Sequence, residues 1–256
     1  MPAHNEENRI GKTLESYGKF FEDLKKKKEV KDFEIVVVLN ACKDKTIDVV
    51  RKVMKNYKEI KYLNFEMGGK GFAIIEGFKY SLDKERELIG FVDADMATPP
   101  EAFYELIKNI GEHHGIIASR HKKGAIVIGK TMLGILKSKI FNFLIRSVLF
   151  IPYRDTQCGA KLFKREALER VISEIGITEW AFDVDLLYKI RKKGYKIKEI
   201  PTVWEEQRGS KLDLIRVSIR MFFSIIRLRI LNSPLKDLIR MYDKMPEWIK
   251  IHHRLK

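Results

Sequence analysis

Residues 88–95, Leu-Ile-Gly-Phe-Val-Asp-Ala-Asp, decide the fold. A short apolar run closed by two carboxylates one residue apart reads as a strand buried on both faces that ends in a polar loop. The same alternation repeats outward from it. Residues 34–39 (EIVVVL), 60–65 (IKYLNF) and 115–119 (GIIAS) read as further strands. Between them apolar residues recur at helical spacing. One set is Ile10, Leu14, Tyr17, Phe21 and Leu24; a second is Ile47, Val50, Met54 and Tyr57, behind Thr46 as the expected cap. A third is Ala73, Ile74, Gly77 and Phe78; a fourth is Phe103, Leu106, Ile107 and Ile110, behind Pro99 and Pro100, with Thr98 another candidate cap. Strands alternating with helices at this pace predict an α/β fold, a mostly parallel sheet with helices on both faces. Ligands of such sheets bind at the carboxyl ends of the strands, so those loops carry the candidate chemistry.

Lys and Arg total 50 against 35 Asp and Glu, a formal net charge of +15 over 256 residues. A charge this positive attracts something anionic: nucleic acid, a phosphorylated small molecule or an acidic membrane. Apolar residues at 45% exclude a disordered chain and suffice for a core. Two cysteines, Cys42 and Cys158, exclude a disulfide-dense scaffold. No uncharged apolar run reaches the roughly 18 residues of a spanning helix, and the first residues lack the apolar run of a secretory signal.

Alternation along the strand points Asp93 and Asp95 to the same side. Carboxylates so close repel, and Mg²⁺ or Mn²⁺ is the usual remedy; a solvated acidic turn is the alternative. Residues 68–71, Gly-Gly-Lys-Gly, either bind an anion with exposed amides and Lys70 at a helix start, or form a flexible turn with a surface lysine. Residues 154–163, RDTQCGAKLF, read as a site loop running into a strand. Cys158 within it reads as a small buried thiol, since no Cys–His pattern accompanies it. In residues 180–188, WAFDVDLLY, Asp183 is the expected helix cap and Asp185 the carboxylate that faces substrate. Farther on, Asp213, Arg216, Arg220 and Arg227 fall within an arc of about 60° on a helical wheel, and the rest of that segment is almost wholly apolar. Residues 125–151 are of similar character, with Lys130, Lys137, Lys139 and Arg146 interrupting apolar sequence. Either segment fits a core helix; together they favour helices lying on a membrane surface.

PAHNEE (2–7), the DAD, DTQCGAKLF, WAFDVDLLY and GSKL (209–212) occur in the order seen in family 2 glycosyltransferases that use polyprenyl phosphates, and the set resembles that family over about residues 2–231. DTQCGAKLF with WAFDVDLLY looks especially like its dolichyl-phosphate β-glucosyl branch; the mannosyl enzymes are the nearer general relatives. The resemblance implies a GT-A nucleotide-sugar-binding fold with C-terminal amphipathic helices. It implies inverting transfer of a sugar to dolichyl or polyprenyl phosphate, glucose from UDP-glucose first and mannose from GDP-mannose as the alternative. Residue by residue, it implies that Pro2, His4, Glu6, Val38 and Asn40 line the nucleoside pocket. Asp93, Ala94 and Asp95 match the metal and diphosphate site, with Mg²⁺ or Mn²⁺ as cofactor. Arg120, Lys130 and Lys211 match phosphate contacts, and Arg208 stands with Lys211 beside the nucleotide. Lys70 joins the nucleotide-sugar set as an anion-binding lysine, and Asp185 is expected to orient sugar hydroxyls. His4 stands where the family has Tyr, Asn40 where it commonly has Asp, and Ala97 where mannosyl relatives often carry Gln.

A doubly wound sheet places a strand before the first helix, whereas this chain opens on loop-like PAHNEE. We therefore expect the first strand to be missing, unless the sheet begins at Glu34. The expected division is a catalytic domain, residues 1–207, with an interfacial helical insert at 125–151 and a basic amphipathic segment at 208–256. That last segment holds 12 Lys or Arg and 4 Asp or Glu, a net of +8, which concentrates more than half of the excess charge beside its most apolar helix. Such a distribution fits a peripheral foot on an anionic membrane at the cytoplasmic face. A nucleic-acid-binding protein is the rival class, but no zinc-finger, RNP-like or helix-turn-helix signature is present. The expected partners are a nucleotide sugar, a polyprenyl phosphate and an anionic membrane surface, with no nucleic acid.

Overall fold

Apolar runs of period 2 and amphipathic stretches of period 3.6 alternate along the chain, and each becomes the element its period dictates. The computed structural model describes residues 1–176, 181–207 and 214–234. In chain order the elements are β1 (Pro2–Ala3), α1 (Ile10–Lys26), β2 (Ile35–Asn40), α2 (Thr46–Met54), β3 (Ile60–Phe65), α3 (Lys70–Asp83), β4 (Leu88–Val92), α4 (Pro100–Asn109) and β5 (Gly115–Ser119). There follow β6 (Ile126–Ile128), α5 (Met132–Leu149), β7 (Ala160–Lys164), α6 (Arg165–Glu169), α7 (Phe182–Lys192), β8 (Ile197–Pro201), β9 (Val203–Glu205) and α8 (Leu214–Leu231).

One parallel sheet has the order β1-β2-β3, with Pro2 opposite Val38 and Ile35 opposite Ile60. A second has the order β4-β7-β5-β8, in which β7 runs antiparallel to both neighbours and β5 pairs parallel with β8. A short parallel ladder joins β6 to β9. The second sheet is covered on both sides, and the alternation of its strands assigns each residue to a layer. Val92, Ile116, Ala118 and Leu162 pack with Tyr17 and Phe21 of α1 and Leu106 of α4. Phe91, Ile117 and Phe163 pack with Ile74 and Phe78 of α3, Ile145 of α5 and Leu186 of α7.

Several expectations are corrected. Pro2–Ala3 is a two-residue strand paired parallel with β2 ahead of α1, so the sheet does not begin at Glu34. Residues 125–151 are not all helix, because β6 precedes α5 and anchors to β9. Thr46 does not cap α2 but opens it, its hydroxyl accepting from the Glu6 amide at 2.8 Å. Thr98 is buried one residue ahead of the Pro99 cap of α4. Within 208–256, Ile225 and Leu228 of α8 are buried in the same core cluster as Phe91 and Phe163, while Phe223 is exposed.

Candidate active site

After β4 the chain turns through Asp93, Ala94 and Asp95. The Thr13 hydroxyl donates to the Ala94 carbonyl and the Tyr17 hydroxyl to the Thr98 carbonyl, each at 2.8 Å, tying this turn to α1. Met96 follows with φ +67°; Asn5 and Ala41, beyond β1 and β2, have φ +53° and +49°. Non-glycine residues in this region store strain, and here they mark three loops at the carboxyl edge of the strands. Lys70, at the start of α3, places its ammonium 2.5 Å from Asp93 Oδ1. A Cβ on Gly159 would lie 1.9 Å from Asp93 Oδ2, so only glycine leaves that carboxylate its place. Asp95 Oδ1 accepts from the Ala97 amide at 3.0 Å.

Burial, reinforced by the charge of Asp93, holds the Asp95 carboxyl above its ordinary range. Burial disfavours the Lys70 charge, but Asp93 and Asp183 outweigh it and hold that ammonium above the usual lysine range. One carboxylate leaning on a lysine beside another reluctant to ionise is the strain that a divalent cation relieves. Their hard oxygens suit Mg²⁺ or Mn²⁺. Among the described residues no set of three His, Cys, Asp or Glu is arranged for a metal.

On the β1–β2 side, Asn40 is buried and turned inward. Its amide donates to the Ala3 carbonyl at 2.8 Å, and its Oδ1 accepts from Gly69 N at 3.1 Å. Gly69 has φ +128°, which leads the chain from β3 into α3. His4 Nδ1 lies 2.7 Å from the Asn40 carbonyl and the ring is exposed. Glu6 is held by Arg9 through two hydrogen bonds of 2.7 Å. Pro2 and Val38 are buried opposite one another. These residues, Lys70 and the Asp93–Asp95 turn gather at one edge of the sheet.

A second centre lies beyond β5. Arg120 Nε donates to Asp155 Oδ2 at 2.8 Å and Nη2 to Oδ1 at 2.9 Å, while the Arg120 amide also donates to Oδ2. Burial alone would raise the Asp155 carboxyl, but the Arg120 charge and its hydrogen bonds hold it far below the carboxylate range. Glu199 Oε1 accepts from the Arg154 and Asp155 amides, and Asn142 Oδ1 accepts from the Thr156 amide, fixing the loop to β8 and α5. The Arg120 guanidinium and the Lys130 ammonium lie 5.2 and 5.5 Å from the Trp204 ring centroid. Burial and then Arg120 push the Lys130 pKa down, which a bound anion would reverse. These cations belong to a cleft of about 430 Å³ that also takes in His121, Lys122, Lys139 and Arg154.

Neither Asp183 nor Asp185 takes the part expected of it. Asp183 is inside the first turn of α7, which starts after Ala181, and binds the buried Lys161 ammonium at 2.6 Å. Asp185 is fully buried, accepting from Lys189 at 2.9 Å and from the Gly176 amide at 3.2 Å. It is a core group rather than a sugar contact, because the helix begins before the pair and rotates Asp185 inward. Burial pushes the Cys158 thiol up to about 12, in keeping with a buried thiol. Trp180, Arg208 and Lys211 lie outside the described residues. Asp155, Lys161 and Trp204 carry site geometry that sequence reasoning missed. A lone cation within an apolar strand was the signal for Lys161; Trp204 offered none.

Residues 1–172 match the family model described as glycosyl transferase family 2. A dolichyl-phosphate beta-glucosyltransferase of Trichomonas vaginalis is 33% identical over 243 residues, covering 90% of this chain and 72% of the relative. The dolichyl-phosphate beta-glucosyltransferase of Homo sapiens is 32% identical over 223 residues, covering 83% and 68%. Among solved structures, glucosyl-3-phosphoglycerate synthase from Mycobacterium tuberculosis, in complex with Mn²⁺, UDP-glucose and glycerol 3-phosphate, superposes with a TM-score of 0.61. It is 18% identical and covers 89% of this chain and 77% of its own. The mannosyltransferase PcManGT from Pyrobaculum calidifontis, with GDP-Man and Mn²⁺, gives 0.59 at 19% identity over 91% of this chain and 63% of its own. These likenesses bear out the GT-A expectation. By its match to the family model and its curated relatives, this chain belongs to glycosyl transferase family 2.

Proposed function

We propose that the protein transfers glucose from UDP-glucose to a dolichyl-type polyprenyl phosphate, with inversion, while lying against a membrane. One observation carries the lipid-phosphate acceptor. Ile135 and Lys139 of α5 line the basic cleft, and the same helix exposes Met132, Leu133, Leu136, Ile140 and Phe143. A phosphate cleft sharing a helix with a broad apolar face suits an anion attached to a hydrocarbon chain. No helix among the described residues is long and apolar enough to cross a membrane, so this reading rests on surface attachment through α5. The relatives named dolichyl-phosphate beta-glucosyltransferases support the same acceptor and sugar.

The chain's own groups suffice for most of the chemistry. Arg120, locked by Asp155, and Lys130 hold the acceptor phosphate as a dianion, with Lys211 expected beside them. An acceptor already ionised needs no strong general base. One of its oxygens attacks the anomeric carbon in line as the bond to the nucleoside diphosphate breaks, the leaving group departing with the electron pair. Lys70 would neutralise the departing diphosphate from the start of α3. A Mg²⁺ or Mn²⁺ ion held by Asp93 and Asp95 would add Lewis-acid charge neutralisation. His4, Glu6 and Asn40 frame the nucleoside side, and Asp183 with Lys161 sets the floor near Lys70. In this reading residues 1–207 form the catalytic domain, and the basic 208–256 segment adds membrane charge.

The test is to incubate the protein with Mg²⁺ or Mn²⁺ and a short polyprenyl phosphate against a panel of UDP- and GDP-sugars. Glucosyl-phosphate lipid from UDP-glucose is the expected product. A mannosyl lipid from GDP-mannose would reassign the donor, and no lipid product from any donor would overturn the reading.

A further inference from the structure

His121, two residues beyond the end of β5, lines the basic cleft and is the side chain there whose ordinary pKa lies near neutrality. Its backbone amide is 3.3 Å from the Ser119 hydroxyl, and its ring Nε2 lies 2.9 Å from the Ser138 hydroxyl of α5. The other ring nitrogen, Nδ1, is buried with no hydrogen-bond partner among the described residues. The ring is thus pinned on one side and unmet on the other. A neutral imidazole leaves an uncharged nitrogen unmet, whereas an imidazolium donates from both nitrogens and would bury a charged N–H without an acceptor. The surrounding charges press the same way. Arg120 follows β5, Lys130 precedes α5 and Lys139 lies on it, while Lys122, Lys123 and Arg154 line the same cleft. The acid that faces the ring, Asp155, has both carboxylate oxygens on Arg120, and Glu206 acts on Lys130. Burial pulls the His121 pKa below its ordinary value; Asp155 opposes that, and Arg120, Lys130 and Lys139 reinforce it. By itself the cleft favours the neutral ring.

A phosphate monoester loses its second proton near about pH 6 and docks as a dianion, whereas a glycosylated product is a phosphodiester with one negative charge. At the phosphorus the two differ in little else. On the polyprenyl-phosphate reading above, we propose that His121 is the residue that tells acceptor from product: it is neutral in the free protein, takes a proton from solvent when the dianion docks, and returns that proton once transfer has left a monoanion. The balance closes over one cycle. One proton enters at the ring with the acceptor, no bond to the ring is made, and the same proton leaves with the product. While the acceptor is bound, the imidazolium is a third positive charge beside Arg120 and Lys130. That charge is withdrawn when the lipid must leave. Arg120 cannot serve in this way, since a guanidinium keeps its charge in both states. Ser138 holds the ring throughout, because a hydroxyl accepts from an imidazolium N–H and meets either tautomer of the neutral ring.

The test is calorimetric binding of a short polyprenyl phosphate and of its methyl diester to the parent and to His121→Gln, each in two buffers of different ionisation enthalpy. At about pH 7.5 the free monoester is already a dianion, so any proton uptake belongs to the protein. Glutamine keeps a hydrogen bond for Ser138 and takes no proton. The parent is expected to take up about half a proton or more with the monoester and close to none with the diester. A group protonated only in the complex favours binding at low pH, so monoester affinity should weaken from about pH 7 to about pH 8.5. His121→Gln is expected to lose the uptake and to narrow the preference for monoester over diester about tenfold, the factor that one pKa unit represents. Lys130 shares the cleft, so the variant assigns the proton. Monoester binding without uptake in the parent, or equal uptake in the variant, overturns the role of His121 and leaves the acceptor reading standing. If neither ester binds, the acceptor reading fails and takes this role with it.

Discussion

Two ion pairs flank the site, and they are built for opposite purposes. Arg120 and Asp155 meet through two side-chain hydrogen bonds and one from the backbone, with the Asp155 side chain fully buried and that of Arg120 12% exposed. Lys70 and Asp93 make one contact of 2.5 Å with about a third of each side chain open to solvent. The first pair is a fixture: its carboxylate has no capacity left for a ligand, and its guanidinium is aimed by it. The second is a placeholder, in which a lysine holds a carboxylate that a metal and a diphosphate would claim. Burial by itself does not separate a structural charge from a catalytic one here; what separates them is how completely the partners are used up.

The hardest blow to this contrast is Asp155→Ala. It strips Arg120 of its partner in a buried setting, and breaking one side of such a pair typically destabilises by about 3–5 kcal/mol. Chemical denaturation should show that loss, together with loss of turnover. An Asp155→Ala protein as stable as the parent would mean that the pair is not a fixture. Next is Asp95→Ala, expected to lower kcat at least about a thousandfold while the Tm stays within a few degrees, because the residue stands at the rim of the core and, among the described residues, accepts from one loop amide that can turn to water. Near-parental turnover with metal present would remove Asp95 from the mechanism.

The same two centres should separate by pH. Asp155 is held below the ordinary carboxylate range, so its stabilisation is complete above about pH 4 and is lost as pH falls towards its folded value. Asp95 is held above that range, so its folded form favours the proton. Its contribution is present below about pH 4 and is lost as pH rises through the folded value. Denaturant midpoints measured from about pH 3 to pH 7 without metal should therefore change in opposite ways. Asp155→Asn should lose stability most near neutrality, and Asp95→Asn should gain there. Parallel curves for the two variants would show that their environments do not differ in sign.

Much of this was legible in the sequence, and the failures have a common cause. The buried strand at 88–92, its two carboxylates and the 154–163 loop were readable because period and composition are local properties. The resemblance singled out Arg120, but Asp155, 35 residues away, was not readable as its partner, since the antiparallel insertion of β7 beside β5 brings them together. Asp183 was expected as a cap and Asp185 as a sugar contact, and neither placement holds, because the helix starts before both and turns Asp185 into the core. Residues 125–151 and the helix before residue 231 looked like twins. Both in fact put one face into the same core, Ile145 and Leu149 from α5 and Ile225 and Leu228 from α8, and both leave an apolar residue outside it, Phe143 and Ile140 on α5 and Phe223 on α8, because amphipathicity alone does not say what lies opposite.

The smallest expected effect bears most directly on the placeholder. A part-exposed pair such as Lys70–Asp93 contributes about 1 kcal/mol or less, so Lys70→Met should change stability little in metal-free buffer. Methionine keeps the apolar stem and removes only the charge. If Lys70 and a divalent cation compete for Asp93, the variant gives the cation a freer carboxylate. Mn²⁺ alone should then raise its Tm more than it raises that of the parent. With UDP added the order should reverse, because the lysine that neutralises the diphosphate is gone, and UDP affinity should fall about tenfold. Removing a competitor strengthens one ligand and removing a contact weakens the other, so a residue that merely supported the loop would shift both in the same direction. A thermal-shift titration with Mn²⁺, then Mn²⁺ with UDP, distinguishes the two roles.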